Sequence, residues 1–293
     1  MTAAAREEGR PLVVIGAGVM GTGIATLALA HGVPVTLVDV DRAVLDRAEI
    51  AVSRNLRTAT LLGAAPPDTT PGVLSTLTSL ADALSGPAAV AVVEAVTEDP
   101  ATKAAVLARV SASIAPGTPL ISNTSSIPID ELAGSVARPA DLLGTHFMNP
   151  AYLITTVEVI PGPRTAADVV ASARKFLGEL RRTPIVVRDS PGFVTSRLLH
   201  PMINDAARLV QEGVASAEDV DALMRGCLGH PTGPLRTADL IGIDNLVDAL
   251  DVLHRRTGDD RSRPCELLLA KVRDGHHGRK SGRGFYEYEE AQP

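Results

Sequence analysis

Residues 144–160 read GTHFMNPAYLITTVEVI, which sets His146 and Glu158 in a run otherwise rich in valine, isoleucine and threonine. Such runs are commonly buried strands, and a buried imidazole or carboxylate is costly unless it has a partner. Imidazole exchanges protons near neutral pH, and a carboxylate on one ring nitrogen would set its tautomer. From the residue types alone the two could form a proton-transfer pair or sit as unrelated residues on a polar strand end.

A second constellation lies near the N-terminus. VVIGAGVMGTGIA (13–25) places Gly16, Gly18 and Gly21 as G-x-G-x-x-G, directly after a predicted strand and at the start of a predicted helix. Gly16 permits the tight turn, Gly18 lets backbone approach a pyrophosphate, and Gly21 lets helix pack on strand. The helix N-terminus supplies amide donors and a favourable dipole. Asp39 closes the next predicted strand, near the roughly 20-residue spacing at which a carboxylate binds the adenosine ribose hydroxyls. It would repel a 2′-phosphate, so NAD is the expected cofactor rather than NADP. Arg42 stands close by and is the residue that could argue otherwise.

These groups need strands and helices to hold them. Apolar, β-branched runs at 11–15, 33–40, 88–96, 118–123, 142–147, 155–160 and 183–189 predict strands. Helical patterns at 19–31, 41–62, 99–113 and 165–181 fall between most of them. The alternation predicts an α/β, Rossmann-type, doubly wound and mostly parallel sheet covered on both faces. After DSPG (189–192) the strands stop. Helix-period segments follow at 193–212, 216–227, 236–256 and 264–274, so an all-helical C-terminal domain is expected. The predicted division is a disordered leader at 1–10, a nucleotide-binding domain at 11–190 and a helical substrate and dimerisation domain at 191–293.

The totals exclude some alternatives. A net charge of −6 gives no basic footprint for nucleic acid or an anionic membrane. No apolar stretch has the length of a membrane span, and the polar first ten residues lack a signal peptide's apolar core. Two cysteines, Cys227 and Cys265, imply no disulfide framework. The histidines show no metal-ligand spacing, so no metal is predicted. A cytoplasmic protein is the expectation.

Taken in order, GAGVMGTGIA, VVEAVTED, SNTSSIPI, HFMNP, VEVI, DSPGFVTSRLL, GHPTGPLRTADLIGIDN and GRKSGRGFYEY resemble the 3-hydroxyacyl-CoA dehydrogenase family over nearly the whole chain. The resemblance implies an NAD-binding Rossmann domain followed by a helical domain that dimerises and closes over an acyl substrate. It also implies that His146 is the general acid/base and that Glu158, twelve residues on, orients it. Ser125 would hydrogen-bond the reacting oxygen, and Asn149 would help to hold substrate and histidine. Glu94 and Lys103 would lie near the nicotinamide half of the cofactor, with Met20 and Asn123 also in the cofactor-binding set. Read without the family, Glu94 could equally cap a strand end and Lys103 could equally be a solvated helix lysine.

Three departures bear on the substrate. Ser196 stands where the family has an active-site asparagine. The segment after HFMNP brings Tyr152, Thr155 and Thr156 towards the expected acyl pocket. Lysine occurs only at positions 103, 175, 271 and 280, so the hairpin expected at 53–72 to clasp CoA phosphates has none and offers Arg54 and Arg57 instead. The stretch HFMNPAYLI resembles the branch of the family acting on acyl-carrier-protein thioesters in polyketide extender-unit (methoxymalonyl) biosynthesis. The expected reaction is therefore NAD-dependent oxidation of the C3 hydroxyl of a short 3-hydroxyacyl thioester, leaning to glyceryl carrier protein. Alternatives are a 3-hydroxybutyryl-CoA dehydrogenase, a sugar-acid dehydrogenase or a non-catalytic NAD-binding protein.

Overall fold

Strands of three to six residues, most of them buried on both faces, need helices above and below, and the chain supplies them in alternation. The computed structural model describes residues 9–288. The leader predicted at 1–10 lies outside these as far as residue 8. Gly9 and Arg10 are placed, with the Arg10 guanidinium donating to the carbonyls of Ala88 and Ala89. The chain divides between Ser190 and Pro191 into two compact units.

The described part of the first unit carries eight strands: β1 Leu12–Ile15, β2 Val35–Val38, β3 Leu74–Leu77, β4 Ala91–Glu94, β5 Leu120–Ser122, β6 Leu142–His146, β7 Thr156–Pro161 and β8 Thr183–Val186. They form one sheet in the order β3-β2-β1-β4-β5-β6-β7-β8. Every pairing is parallel except β6 with β7. The strand order reverses between β1 and β4, which is the switch point where doubly wound sheets bind ligands. The helices are α1 Val19–Ala30, α2 Arg42–Leu61, α3 Leu80–Ser85, α4 Pro100–Ser113, α5 Ile129–Leu132 and α6 Ala167–Glu179. Asp41 and Asp99 cap α2 and α4 by accepting from Ala43 N and Thr102 N, each at 2.8 Å. Leu12, Val14, Ile24, Leu27, Leu37, Val93, Leu143 and Val159 lie at the centre of the core.

β3 is missing from the predicted strands. Its sequence, LSTL, has two hydroxyl residues, sits at the sheet edge and is only partly buried, so its hydrophobic signal is weak. The segment 53–72 is not a hairpin of strands. It is the last half of α2, a turn at Gly63 and a proline-rich coil, with Arg54 and Arg57 exposed on the helix.

In the second unit the helices are α7 Thr195–Gln211, α8 Ala217–Leu228, α9 Pro234–Ile241, α10 Ile243–Thr257 and α11 Glu266–Arg273. The single helix predicted at 236–256 is two. Gly242, at φ +93°, breaks the run, and its missing Cβ permits that backbone. Ile203, Leu235, Leu246, Leu250 and Leu268 are buried at the centre. The C-terminal GFYEY segment is tied down by two buried carboxylates. Asp239 accepts from Phe285 N, Tyr286 N and the Tyr288 hydroxyl, and Asp221 accepts from Leu235 N, Arg236 N and the Tyr286 hydroxyl. Among the described residues no helix is long and apolar enough to cross a membrane.

Candidate active site

The nucleotide loop follows β1. A Cβ on Gly16 would lie 2.5 Å from the carbonyl oxygen of Ala95, and one on Gly21 would lie 1.8 Å from that of Gly16. Only glycine fits at either place, because the loop is squeezed against the strand end of β4 and the first turn of α1. At Gly18 a Cβ would meet nothing, so backbone there faces open space. Gly18 is also the N-cap of α1, and no side chain caps that helix. Its first-turn amides are therefore available for a pyrophosphate. Met20 is half-buried in the same turn.

Asp39, at the end of β2, accepts from Ala17 N at 2.9 Å and from Asp41 N at 3.1 Å. A carboxylate has about four lone-pair positions, so capacity remains for ribose hydroxyls. Arg42 is occupied elsewhere, donating to Asp46 at 2.8 Å, Glu49 at 3.1 Å and Thr76 at 3.2 Å. The residues present thus fit a dinucleotide with a free 2′-hydroxyl.

His146 is the last residue of β6 and pairs directly with Glu158 across the antiparallel register. The twelve-residue interval is the length needed to leave β6, turn, and come back opposite. His146 Nδ1 and Glu158 Oε2 are 2.8 Å apart, with the residues only 7% and 6% exposed. Between them the chain turns through a cis Asn149–Pro150 bond, and Asn149 is exposed. Tyr152 packs against the first unit's core and its hydroxyl lies 3.4 Å from Asn55 Oδ1.

Asn123 joins two strand ends: its N–H donates to Glu94 O at 2.8 Å and its Oδ1 accepts from Phe147 N at 3.2 Å. The serine loop that follows wraps around a carboxylate unassigned from the sequence. Glu98 Oε1 accepts from Thr124 Oγ1 at 2.5 Å, Ser125 N at 2.8 Å, Ser125 Oγ at 3.3 Å, and Ser126 N and Oγ at 3.0 and 3.1 Å. Its Oε2 lies 3.3 Å from Lys103 Nζ. Burial alone would raise this carboxyl, but the Lys103 charge and the hydrogen bonds from Thr124 and Ser125 hold it below the ordinary value. Glu98 lies inside VVEAVTED, and its spacing before Lys103 was the available signal.

Two expectations change here. Lys103 is no solvated helix lysine; it is 1% exposed, and its Nζ donates to Glu94 at 2.7 Å and to the Val96 carbonyl at 3.2 Å. Glu94 is fully buried, and its oxygens accept from Val96 N, Lys103 Nζ and Ser122 Oγ at 2.8, 2.7 and 2.7 Å. It lies beneath the loop rather than at the surface a cofactor could touch. In the second unit, Ser196 is in the first turn of α7 and 3% exposed. Among the described residues no three His, Cys, Asp or Glu side chains gather in a way that could hold a metal.

A dinucleotide cradle at the switch point of a parallel sheet, with an imidazole–carboxylate pair two strands along, is the arrangement of a nicotinamide-dependent dehydrogenase. Comparison with known proteins narrows this. The family description "3-hydroxyacyl-CoA dehydrogenase, NAD binding domain" matches residues 11–190, and "3-hydroxyacyl-CoA dehydrogenase, C-terminal domain" matches 192–288. A probable 3-hydroxybutyryl-CoA dehydrogenase of Deinococcus radiodurans is 40% identical over 94% of this chain and 99% of its own length. The crystal structure of Mycobacterium tuberculosis FadB2 is similar with TM-score 0.88 and 35% identity, over 94% of this chain and 98% of that one. That of (S)-3-hydroxybutyryl-CoA dehydrogenase PaaH1 from Ralstonia eutropha is similar with TM-score 0.84 and 33% identity, over 97% and 100%. The chain belongs to the 3-hydroxyacyl-CoA dehydrogenase family, and it is an NAD-dependent oxidoreductase.

Proposed function

We propose that the protein oxidises the C3 hydroxyl of a short 3-hydroxyacyl-CoA. The observation that carries the reading is the buried His146–Glu158 pair, one strand from the Asn123–Ser126 loop. NAD, when bound, accepts the hydride from C3. His146 takes the hydroxyl proton on Nε2 while Glu158 holds Nδ1–H and stabilises the imidazolium that forms. Ser125 hydrogen-bonds the C3 oxygen, and Asn149 at the strand end holds the acyl chain near His146. Gly16, Gly18, Met20, Gly21, Asp39 and Asn123 hold the cofactor, with Lys103 fixing the loop beside it.

CoA is favoured as carrier because two of the relatives named above bear the names probable 3-hydroxybutyryl-CoA dehydrogenase and (S)-3-hydroxybutyryl-CoA dehydrogenase and are matched over nearly their full length. The carrier-protein reading rests on HFMNPAYLI and on the lysine-free segment 53–72, where only the exposed Arg54 and Arg57 offer positive charge. Exposed Leu198, Leu223 and Leu228 of the helical unit support a homodimer formed through it. A substrate panel tests the proposal. 3-Hydroxybutyryl-CoA should reduce NAD faster than glyceryl carrier protein does, and His146→Ala should lose about two to four orders of magnitude in turnover. Preference for the carrier protein would overturn the choice of carrier, and an active His146→Ala enzyme would overturn the acid–base assignment.

A further inference from the structure

The strand end of β4 holds more charge than a core tolerates without reason. Glu94 and Lys103 form an ion pair with side chains 0% and 1% exposed, and Glu98, the only partly exposed member, adds a second carboxylate. Replacing such a buried pair by apolar residues of similar volume is often neutral or stabilising, so stability alone does not account for it. The connections point to a different use. Ser122 and the Val96 amide hold Glu94, and Glu94 holds Lys103. Lys103 faces Glu98, and Glu98 collects the donors of Thr124, Ser125 and Ser126. The chain begins in the core and ends on the Ser125 hydroxyl.

We infer that Glu94 is a positioning residue for Ser125, acting through Lys103 and Glu98; the inference rests on the role given to Ser125 under Proposed function. Without the Glu94 carboxylate, Lys103 would turn its whole charge on Glu98 and draw that carboxylate inward, away from the loop. With Glu94 in place, Glu98 stays shared between Lys103 and the loop, and the Ser125 hydroxyl donates to it. The Ser125 amide bond at 2.8 Å then fixes the residue, and the longer hydroxyl bond at 3.3 Å is the one a substrate replaces. Turned outward from that anchor, the hydroxyl donates to the C3 oxygen, whose own proton goes to His146 Nε2.

A double-mutant cycle tests this, with turnover of 3-hydroxybutyryl-CoA and melting temperature as readouts. Ser125→Ala should lower kcat about a hundredfold, as loss of one donor to a developing oxyanion does. Glu94→Gln should lower kcat about tenfold by misplacing the loop, short of the hundredfold that a full ångström costs. In the Ser125→Ala background, Glu94→Gln should cost almost nothing further, because the route it acts through is gone. Equal losses in both backgrounds would overturn the inference and leave Ser125 itself in place. A fully active Ser125→Ala enzyme would instead sink the role of Ser125, and the inference with it. Should Glu94→Gln fail to fold, Glu94→Leu/Lys103→Met removes both charges and is expected to fold at least as well. Its kcat should fall, and adding Ser125→Ala should bring it no lower than Ser125→Ala alone; wild-type kcat in the paired variant would refute the inference.

Discussion

Glu158→Gln keeps the shape of the side chain and removes its charge, so it isolates what the carboxylate does for His146. The two groups sit 2.8 Å apart and are almost wholly buried. With an effective dielectric of about 20, unit charges at that separation attract by about 6 kcal/mol. The attraction exists only while the imidazole is protonated, that is, after the substrate hydroxyl has released its proton. It therefore stabilises the transition state more than the resting enzyme. A glutamine oxygen can still accept from Nδ1–H and retains part of this, leaving a loss of about 3–4 kcal/mol. That corresponds to a kcat lower by about two to three orders of magnitude. NADH formation from saturating 3-hydroxybutyryl-CoA measures it. Affinity for NADH should not change, because the cradle at Gly16–Gly21 does not involve Glu158. A variant with wild-type turnover would refute the pairing as a catalytic device, and one with weakened NADH binding would point to misfolding.

Gly21→Ala should abolish tight NAD binding, because its Cβ would sit 1.8 Å from a backbone oxygen that no rotamer change can move; unchanged NADH titration would contradict the cradle. Burial, with the acceptors Asp221 and Asp239, raises the Tyr286 and Tyr288 hydroxyls well above their ordinary 10.0. Folded values above the unfolded one mean that their stabilisation is complete below pH 10 and is lost as pH climbs through the folded values. Melting temperature should fall steeply above about pH 10. The Tyr286→Phe/Tyr288→Phe double variant should melt lower at neutral pH with a flatter alkaline limb, and an equally steep limb would refute the assignment. Asp189 accepts from Ile129 N at 3.0 Å and Asp130 N at 2.9 Å, capping α5 where Pro128 offers no side-chain acceptor. Asp189→Ala should cost about 1–2 kcal/mol in denaturant unfolding, a typical value for a lost cap, and no change would show the cap to be idle.

Much of this architecture was readable because each element repeats its message at several levels. LVVI is apolar and β-branched, is followed by a loop that only glycine can make, and leads into an uncapped helix. The pair His146 and Glu158 was readable for a related reason. In an antiparallel pair joined by a tight connection, sequence interval dictates register, and register places residues opposite one another. What escaped was what has no period. β3 is a half-buried edge strand with hydroxyls, and the α9–α10 break depends on the φ of Gly242 within an otherwise continuous helical pattern.

The charges at the end of β4 escaped for a deeper reason. Lysine is almost always at the surface, and a lysine in the first turn of a helix headed PATK reads as solvated. Its burial is decided by partners far away in sequence, since Glu94, Glu98 and Ser122 come together only when β4, β5 and α4 pack. A buried cation is tolerable only where carboxylates already wait for it. The local sequence cannot display that condition, because half of the constellation lies on another strand. Chemistry that rests on one pair across one register is legible from spacing, whereas chemistry that rests on a network spanning three elements requires the fold. Glu98 is accordingly the carboxylate beside Ser125 that the reading of single motifs passed over, and Glu94 is fully buried beneath the loop.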